Sequence, residues 1–510
     1  MMKRKLYALL SLVLVFCTVF SLASCSVNFG KNNGSTTTTT QAIPGSTTSG
    51  TVANKDIVKI DFYSINDLHG TVRDTDDNAG IGKITSFLNG KAEEENAIFV
   101  SAGDMWQGGV ESNNTKGKLV TDWMNQLGFS AMTLGNHEFD WGTEKIKENV
   151  EIAEFPILAI NVYEKATNQR AQWCEPSVMV EKEGIKIGII GAVGDVYSSI
   201  SASRVQDVYF KVGNDLTDLV KSESNKLRAL GADFILYILH DGYATRTTNT
   251  TTPVADSKLG HYDTSLSNGY VDLVFEGHTH TQNMYTDKYG VYHLQAGGYN
   301  DAISHVEVTF DVVKDDFRIT QNELIKTSYL QSHPIDQNAV SLYEKYADLI
   351  GDAYGVIGYN AAKRNSSYLC QLVAKLYLEK GLEKWGEDYN IVLGGGKINC
   401  RSPYNLYQGD ICYADLLELF PFDNDLVLCS IKGSYLKSRF LDNDYDIKLS
   451  DFGIANQNQI DPNATYYIIT DSYCADYAWN NLTVVDVFSL EGAYARDFLA
   501  EYAKEGGFAN

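Results

Sequence analysis

The chain has 510 residues, of which 44% are hydrophobic and 21% are charged, so it is long enough for two or three globular domains. Its net charge of −23 argues against binding to polymeric nucleic acid, because that affinity comes mainly from lysine and arginine at phosphates. The charge does not exclude a small phosphorylated substrate, since metal ions and a few arginines can supply positive charge locally.

The N-terminus has the pattern of a secretory signal. Lys3-Arg4-Lys5 is a charged region, residues 6–20 are apolar, and Leu22-Ala23-Ser24-Cys25 is typical of the lipobox at which bacterial lipoproteins are lipidated. We therefore predict a signal peptide over residues 1–24 and a lipid on Cys25, with the protein at the extracellular face of the bacterial cell membrane. The alternatives are an ordinary signal peptide cut nearby and an uncleaved anchor.

A tether is predicted over residues 25–53. This stretch is rich in serine, threonine and glycine and cannot bury a core, so we expect a flexible linker. No later run is long and apolar enough to span a bilayer. We therefore expect contact with the membrane through the lipid anchor alone.

Strand and helix patterns alternate from about residue 55 to residue 325. Strand patterns cover residues 58–64, 98–102, 131–134, 186–190, 234–239 and 271–275, and helical patterns cover residues 82–88, 119–127 and 216–230. This alternation predicts an α/β fold. In such sheets, ligands gather beyond the strand ends, on loops held by a rigid scaffold.

Five segments at these strand ends contain metal-binding residue types. They are Asp67-Leu68-His69, Gly103-Asp104, Gly135-Asn136-His137-Glu138, His240-Asp241-Gly242 and Gly277-His278-Thr279-His280, and they contain five of the nine histidines. Two divalent metals can clamp the oxygens of a displacement at phosphorus and lower the pKa of a bound water. Mixed Asp, Asn and His ligands suit zinc, manganese, iron or cobalt better than calcium. The pattern therefore predicts a two-metal phosphoesterase site with Asp104 as the candidate bridge.

In order and in detail, these segments resemble the calcineurin-like metallophosphoesterases, specifically the 5′-nucleotidase / UDP-sugar hydrolase / 2′,3′-cyclic phosphodiesterase family. The resemblance implies one metal held by Asp67, His69, Asp104 and His280. It implies a second metal held by Asp104, Asn136, His240 and His278. It also implies that His137 is the catalytic histidine, stabilising charge on the phosphate or protonating the leaving group. Asp140 would orient the His137 imidazole.

The same resemblance implies the domain organisation. We expect a four-layer β-sandwich flanked by helices over residues 54–325, a linking helix within residues 326–351, and a smaller α/β substrate-binding domain over residues 352–510. Apolar residues at helical spacing within 336–351 support the linking helix. We expect no catalytic role for the four remaining histidines: His261, His293, His305 and His333. The six cysteines after Cys25 include no CxxC pair and no zinc-ribbon spacing, and their even number permits disulfides. Because a large domain does not need disulfides for stability, we expect buried free thiols.

The second domain resembles the family's nucleotide-binding domain in Gly409-Asp410-Ile411 and in Pro421-Phe422-Asp423-Asn424. The resemblance implies that Phe422 and Asn424 contact a base and that Tyr473 is the second aromatic of a base sandwich. Stacking of a base on an aromatic side chain is worth about 1–3 kcal/mol. The alternative is that both aromatic side chains belong to the core.

The chain departs from the family's pattern at its phosphate- and ribose-binding positions. Gly394-Gly395-Gly396 should be followed two residues later by an arginine, but Ile398 stands there. Arg401 and Arg364 are therefore the candidates for phosphate binding. The expected Gly-Gly-Asp block is missing, which makes Asp476 the candidate for a ribose-binding acid.

These observations predict a metal-dependent phosphohydrolase, foremost a 5′-nucleotidase that acts on nucleoside monophosphates. A 2′,3′-cyclic phosphodiesterase and a UDP-sugar pyrophosphatase remain open, because the metal site acts on phosphorus and does not select the leaving group. The alternative of another class is an inactive nucleotide-binding surface lipoprotein.

Overall fold

The computed structural model describes residues 56–75, 78–94, 96–245, 247–248, 253–255, 259–401, 403–439, 446–449, 457–479, 481–489 and 492–509. The predicted signal peptide, Cys25 and the tether lie outside the described residues. Lys55–Asn510 form one compact unit. Within the described ranges, we find no helix with the length and apolar character that crossing a bilayer requires.

The strands of the N-terminal part form two large sheets and one small sheet. In chain order they are β1 (Ile57–Ile65), β2 (Ala97–Ser101), β3 (Ala131–Thr133), β4 (Ile157–Leu158), β5 (Val162–Glu164), β6 (Gln169–Arg170), β7 (Ser177–Lys182), β8 (Ile185–Val193), β9 (Val208–Phe210), β10 (Phe234–His240), β11 (Thr247–Thr248), β12 (Leu273–Glu276), β13 (Gln282–Thr286), β14 (Tyr292–Ala296), β15 (Ala302–Asp311) and β16 (Asp316–Lys326). The sheet orders are β16-β15-β1-β2-β3-β4, β11-β13-β14-β12-β10-β8-β7 and β6-β5-β9. β1, β2, β3 and β4 run parallel, as do β8, β10 and β12.

The helices, in chain order, are α1 (Ile81–Glu94), α2 (Val110–Thr115), α3 (Lys118–Leu127), α4 (Thr143–Ile152), α5 (Asn214–Ala229), α6 (Thr327–Leu330), α7 (Gln337–Lys345), α8 (Ala347–Ile350), α9 (Ser366–Trp385), α10 (Tyr413–Leu419), α11 (Gly433–Arg439) and α12 (Ala495–Lys504). Short 3₁₀ turns lie at His137–Trp141, Tyr197–Ser199 and Ala202–Arg204.

The two large sheets pack face to face, with helices on both outer sides. Phe62 of β1 stacks on Phe234 of β10, with 5.5 Å between ring centroids, in the core between the sheets. The alternate residue Tyr63 points the other way, into a core shared with Phe87 of α1 and Trp123 of α3. On the far side, α5 covers β8 and β10. The predicted α/β fold of four layers is confirmed.

The chain between the sandwich and the C-terminal part is helical, as predicted, but it is not one helix. The pattern over residues 336–351 forms α7 and α8, which are separated at Tyr346 with φ −106°. Ala339 and Leu342 of α7 are buried, and α7 packs on α1 and α3. The Tyr346 hydroxyl donates to Asp122 of α3 at 2.5 Å, so the break coincides with packing on the sandwich.

The C-terminal part is a smaller α/β arrangement. Its strands are β17 (Val356–Asn360), β18 (Arg364–Asn365), β19 (Ile391–Gly396), β20 (Asn405–Leu406), β21 (Gly409–Cys412), β22 (Leu426–Lys432), β23 (Asp446–Leu449), β24 (Thr465–Asp471) and β25 (Leu482–Phe488). The main sheet has the order β23-β19-β24-β22-β25, with β19 and β24 parallel. The long helix α9 packs against β19 and shares an apolar core with α12.

Candidate active site

The metal-binding residue types lie on loops at the carboxyl ends of parallel strands. β1 leads to Asp67, β2 to Asp104, β3 to Asn136 and β12 to His278, and β10 itself ends at His240. Because parallel strands end at one edge of a sheet, the two sheets bring these loops together along one rim of the sandwich.

Five of the predicted metal ligands have a left-handed backbone. Their φ angles are 51° at Asp67, 50° at His69, 54° at Asp104, 72° at His278 and 50° at His280. Such a conformation costs about 1–3 kcal/mol at a residue with a side chain and persists only where the surrounding structure enforces it. Backbone hydrogen bonds between the loops do so here, from Asp67 N to Gly103 O at 2.9 Å and from His69 N to Asp104 O at 3.0 Å.

The ligand atoms form two adjoining groups. The first group contains Asp67, His69, Asp104 and His280, and the second contains Asp104, His240 and His278; within each group the atoms lie within 4.8 Å of one another. Asp104 belongs to both groups, as a bridging carboxylate must. The Oδ1 atom of Asn136 lies 3.1 Å from His240 Nε2 and 2.9 Å from His278 Nδ1, so it extends the second group.

Two features of these groups fit divalent metal ions. The Oδ2 atom of Asp104 is buried and, although His240 Nε2 lies 3.1 Å away, it accepts no hydrogen bond of acceptable geometry, a costly state for a carboxylate oxygen unless a cation faces it. The Nε2 atoms of His69 and His280 lie 2.9 Å apart. Second contacts fix two of the rings, because His69 Nδ1 lies 2.9 Å from Gln107 O and His240 Nδ1 lies 2.7 Å from Ala102 O. Donation to these carbonyls leaves each Nε2 free to ligate a metal.

The charges of the site follow from burial and from the mixture of acids and imidazoles. Burial, helped by the neighbouring His240, lowers the pKa of His278 to about 4, and burial with His280 lowers the pKa of His69 well below its usual value. These imidazoles therefore offer lone pairs. Burial opposes ionisation of Asp104, yet His240 and His137 hold its pKa well below the usual range. Asp104 is thus anionic. Although burial opposes protonation of the neighbouring His240, Asp104 in turn raises the pKa of His240 to about 10.

His137 stands beside the two groups with a partner on each ring nitrogen. Its Nδ1 lies 2.8 Å from Asp140 Oδ2, and its Nε2 lies 3.0 Å from Arg401 Nη2. A guanidinium can only donate, so Nε2 accepts from Arg401 and Nδ1 donates to Asp140. Burial opposes protonation of His137, but Asp140 and Asp104 together raise its pKa. The imidazole is therefore oriented to take up a proton at Nε2.

A cavity of about 360 Å³ joins this centre to the C-terminal part. Phe422, Asn424, Tyr473 and Arg401 line it together with the metal-binding loops. The Phe422 ring stacks on His137 with 5.5 Å between centroids and an angle of 27°, and the Arg401 guanidinium lies 5.0 Å from the Phe422 centroid. The C-terminal residues of the cavity therefore contact the catalytic histidine candidate directly.

Comparison with known proteins agrees with this geometry. Residues 60–282 match the family model described as calcineurin-like phosphoesterase. The chain carries a calcineurin-like phosphoesterase domain. This assignment confirms the resemblance seen in the sequence and makes the domain that of a phosphoric ester hydrolase.

The chain is similar to two curated proteins, one of which is named a 5′-nucleotidase. It is 25% identical over 378 residues to Protein UshA of Yersinia enterocolitica, with 66% of each chain covered. It is 25% identical over 421 residues to a 5′-nucleotidase of Diplobatis ommata, covering 74% of this chain and 69% of the relative. The match thus spans just under two thirds of UshA.

The fold is also similar to that of a solved 5′-nucleotidase precursor from Thermus thermophilus. The TM-score is 0.65 at 19% identity, and the similarity covers 88% of this chain and 96% of that one. It extends through the C-terminal part, where the family model does not reach.

The structure does not bring two of the predicted substrate-binding residues into the cavity. Arg364 lies in β18, where its guanidinium is 4.6 Å from the centroid of the Tyr368 ring at the start of α9. Asp476 uses its Oδ2 to accept from Ser201 Oγ at 3.1 Å and from Ala202 N at 2.9 Å. Neither position could be predicted from the local sequence, because each depends on how the chain folds in space. The structure therefore gives no support to Arg364 as a phosphate ligand or to Asp476 as a ribose ligand, and both assignments stay predictions.

Glu138 has a positioning role that the sequence analysis missed. Its fully buried carboxylate accepts four backbone N–H groups, from Gly135 at 2.7 Å, Met105 at 2.8 Å, Asp104 at 2.9 Å and Trp106 at 3.2 Å. These bonds tie the loop that carries Asp104 to the loop that carries Asn136. Burial, with the neighbouring Asp104, raises the Glu138 pKa to about 7. The only signal in the sequence was its position next to His137.

Among the described residues, the remaining histidines and the cysteines do not belong to the two groups of metal-binding side chains. His261 contacts Asp241, His293 contacts Glu276, and His305 contacts Asp61. The six cysteines of the described residues are free thiols, and Cys174, Cys370, Cys429 and Cys474 are buried. Several further polar residues that the sequence did not suggest line the cavity: Ser201, Arg204, Tyr377, Lys397 and Asp471.

Proposed function

We propose that the protein is a metal-dependent 5′-nucleotidase that converts nucleoside 5′-monophosphates to nucleoside and phosphate. The observation that carries this proposal is the cavity itself, which joins the metal-binding groups to the aromatic side chains Phe422 and Tyr473. Its volume of about 360 Å³ lies in the range of small-molecule pockets and suits a mononucleotide, not a polymer.

In this proposal, two divalent ions of zinc, manganese, iron or cobalt occupy the two groups. The first would be held by Asp67, His69, Asp104 and His280, and the second by Asp104, Asn136, His240 and His278. Such ions, when bound, supply Lewis-acid stabilisation of the phosphoryl oxygens and a nucleophile at neutral pH.

The side chains around the metals handle the phosphate and the leaving group. Arg401 lies against His137 Nε2, so an entering phosphate would break this contact and be bound by the guanidinium. His137 then donates a proton from Nε2 to the departing ribose oxygen, while Asp140 holds Nδ1 and stabilises the imidazolium. The base stacks between Phe422 and Tyr473, and Asn424 offers hydrogen bonds to its edge.

The first test measures hydrolysis of AMP, UDP-glucose and 2′,3′-cyclic AMP by the purified protein with added manganese or zinc. Phosphate release reports on AMP, and chromatography reports on the other two, since opening a cyclic ester releases no phosphate. We expect AMP to be the best substrate and His137→Ala to abolish its turnover. Preference for either other ester would refute the 5′-nucleotidase proposal and leave a phosphohydrolase. No turnover of any ester would favour an inactive nucleotide-binding protein.

We also propose that the enzyme works outside the cell, held to the bacterial membrane by a lipid on Cys25. The proposal rests on the signal and lipobox pattern of residues 1–25. Mass spectrometry of the mature N-terminus in the native host would identify a diacylglyceryl-modified Cys25. An unmodified N-terminus elsewhere in the chain would contradict the anchor, and Cys25→Ala should release the protein from the membrane fraction.

A further inference from the structure

Tyr299 lies beside the first group of metal ligands, in the turn between β14 and β15, and the sequence analysis gave it no role. Its ring stacks on the imidazole of His69, with 5.0 Å between centroids and an angle of 27°. It also meets the imidazole of His280 edge-on, at 5.3 Å and 87°. One side chain therefore contacts both imidazoles of the first group.

His280 depends on such packing because hydrogen bonds do not fix its ring. Its Nε2 atom faces the first group, 2.9 Å from His69 Nε2 and 3.3 Å from Asp67 Oδ1. A metal-binding histidine usually donates from its other ring nitrogen to a fixed acceptor, as His69 does. The described residues offer no such partner to Nδ1 of His280, whose side chain is 25% exposed. Tyr299 holds the ring on one side, and the backbone of Gly298 packs closely against it, since a Cβ atom there would lie 3.1 Å from His280 Cγ.

The backbone that carries Tyr299 is strained. Its φ is 53°, and that of the next residue, Asn300, is 63°, so two consecutive residues with side chains are left-handed. Each costs about 1–3 kcal/mol and persists only where the surrounding structure enforces it. Tyr299 N donates to Asp67 O at 2.8 Å, Asn78 Nδ2 donates to Tyr299 O at 2.7 Å, and Asn300 Nδ2 donates to Thr71 O at 2.7 Å. The turn is therefore held, against this strain, on the loop that carries Asp67.

Packing into an apolar core does not account for the Tyr299 ring. The buried apolar clusters of the described residues do not include this side chain, which is only partly buried. Its aromatic contacts within the described ranges are the two imidazoles. The position of the ring is therefore explained by the metal ligands that it touches.

We propose that Tyr299 is a positioning residue that holds the rings of His69 and His280 and thereby raises the metal affinity of the first group. The second group, whose imidazoles His240 and His278 pack on each other with 5.4 Å between centroids, does not depend on it. The proposal rests on the two-metal centre of the proposed function and assigns different supports to its two halves.

The test measures manganese affinity one group at a time, by competition with a fluorescent chelator. His240→Ala removes a ligand of the second group and leaves the first group for measurement, and His69→Ala does the reverse. Tyr299→Ala, Tyr299→Leu and Tyr299→Phe are each placed in both backgrounds. Alanine removes the ring, leucine keeps apolar volume without a flat face, and phenylalanine keeps the ring. The matched control is Tyr289→Ala, which removes a tyrosine that is 48% exposed in the turn between β13 and β14 and lies against Lys288.

In the His240→Ala background, we expect Tyr299→Ala and Tyr299→Leu to weaken manganese binding by about 10- to 100-fold, the usual effect of removing a support from a metal ligand. Tyr299→Phe should keep the affinity of the parent, because it keeps both ring contacts. In the His69→Ala background, all three variants should leave the affinity of the second group unchanged. A residue that acted only by stabilising the fold would weaken both groups. Tyr289→Ala should change neither affinity.

Three results would overturn the proposal: equal affinity of the first group with and without the Tyr299 ring, equal losses at both groups, and a loss in Tyr299→Phe as large as that in Tyr299→Ala. The absence of manganese binding in both backgrounds would overturn it together with the two-metal centre. Phosphate release from AMP by the wild type, measured separately, tells these failures apart from a failure of the nucleotidase function. Melting temperatures show which variants are folded, and Tyr299→Leu decides the outcome if Tyr299→Ala does not fold.

Discussion

Replacing Glu138 by glutamine tests whether one buried carboxylate holds the metal-binding loops in place. Each of its oxygens accepts two backbone N–H groups, Oε1 from Met105 and Trp106 and Oε2 from Asp104 and Gly135. In Glu138→Gln an amide nitrogen takes the place of one oxygen. Two buried N–H groups then lose their acceptor and face another donor.

The magnitude follows from those two lost bonds. A buried donor left without a partner costs about 1–3 kcal/mol, so Glu138→Gln should lower the free energy of unfolding by about 2–6 kcal/mol. Because burial raises the Glu138 pKa to about 7, the comparison belongs at pH 8, where the wild-type carboxylate is ionised. The loops also position Asp104 and Asn136, so metal affinity should fall by about 10- to 100-fold, as for other residues that orient ligands.

Urea denaturation of the metal-free proteins gives the free energies, and competition with a fluorescent chelator gives the metal affinities. The control is Glu144→Gln, whose side chain is 79% exposed and pairs with Lys147 on the helix surface, so its effect should stay within about 0.5 kcal/mol. An unfolding free energy and metal affinity for Glu138→Gln equal to those of the control would refute this positioning role.

Three further predictions concern the cavity and its supports. Arg401→Ala should lower kcat/KM for AMP by at least tenfold, whereas Arg364→Ala, on the Tyr368 ring outside the cavity, should leave it within about twofold; equal effects would contradict the placement of both arginines. Phe422→Ala should weaken adenosine binding by about 5- to 150-fold through lost stacking, and calorimetry measures this. Asp423→Asn breaks a nearly buried pair with Arg496 and should lower the free energy of unfolding by about 3–5 kcal/mol at pH 7. Burial opposes ionisation of Asp423, but Arg496 holds its pKa below the unfolded value. The difference in unfolding free energy between the wild type and Asp423→Asn, measured by denaturation, should therefore be constant from pH 7 to pH 5 and become smaller only below about pH 4. A difference that becomes smaller near neutral pH would contradict this prediction.

The sequence predicted the parts of the site whose residues lie together in short segments of the chain. Asp67-Leu68-His69 and Gly277-His278-Thr279-His280 each follow a strand, and the shared carboxyl edge of parallel strands makes their meeting in space predictable. The fold class followed from the same alternation. The sequence did not predict the left-handed backbone of the ligands, because that conformation is enforced by bonds between loops distant in the chain.

Packing between parts of the chain that are distant in sequence determines the features of the site that the sequence did not predict. Glu138 binds backbone groups more than thirty residues away, and no local pattern shows such bonds. Asp476 and Asp471 are five residues apart, and only the turn after β24 determines which of them faces the cavity. The helical pattern over residues 336–351 was recognised, but its interruption at Tyr346 coincides with a contact to α3.

The most direct test of the two-metal centre is the number of metal ions bound per chain, measured by mass spectrometry of metals after equilibrium dialysis against manganese. We expect two ions in the wild type, one in His69→Ala and in His240→Ala, and none in Asp104→Ala, whose carboxylate belongs to both groups. One ion or none in the wild type, or two ions retained in Asp104→Ala, would contradict it.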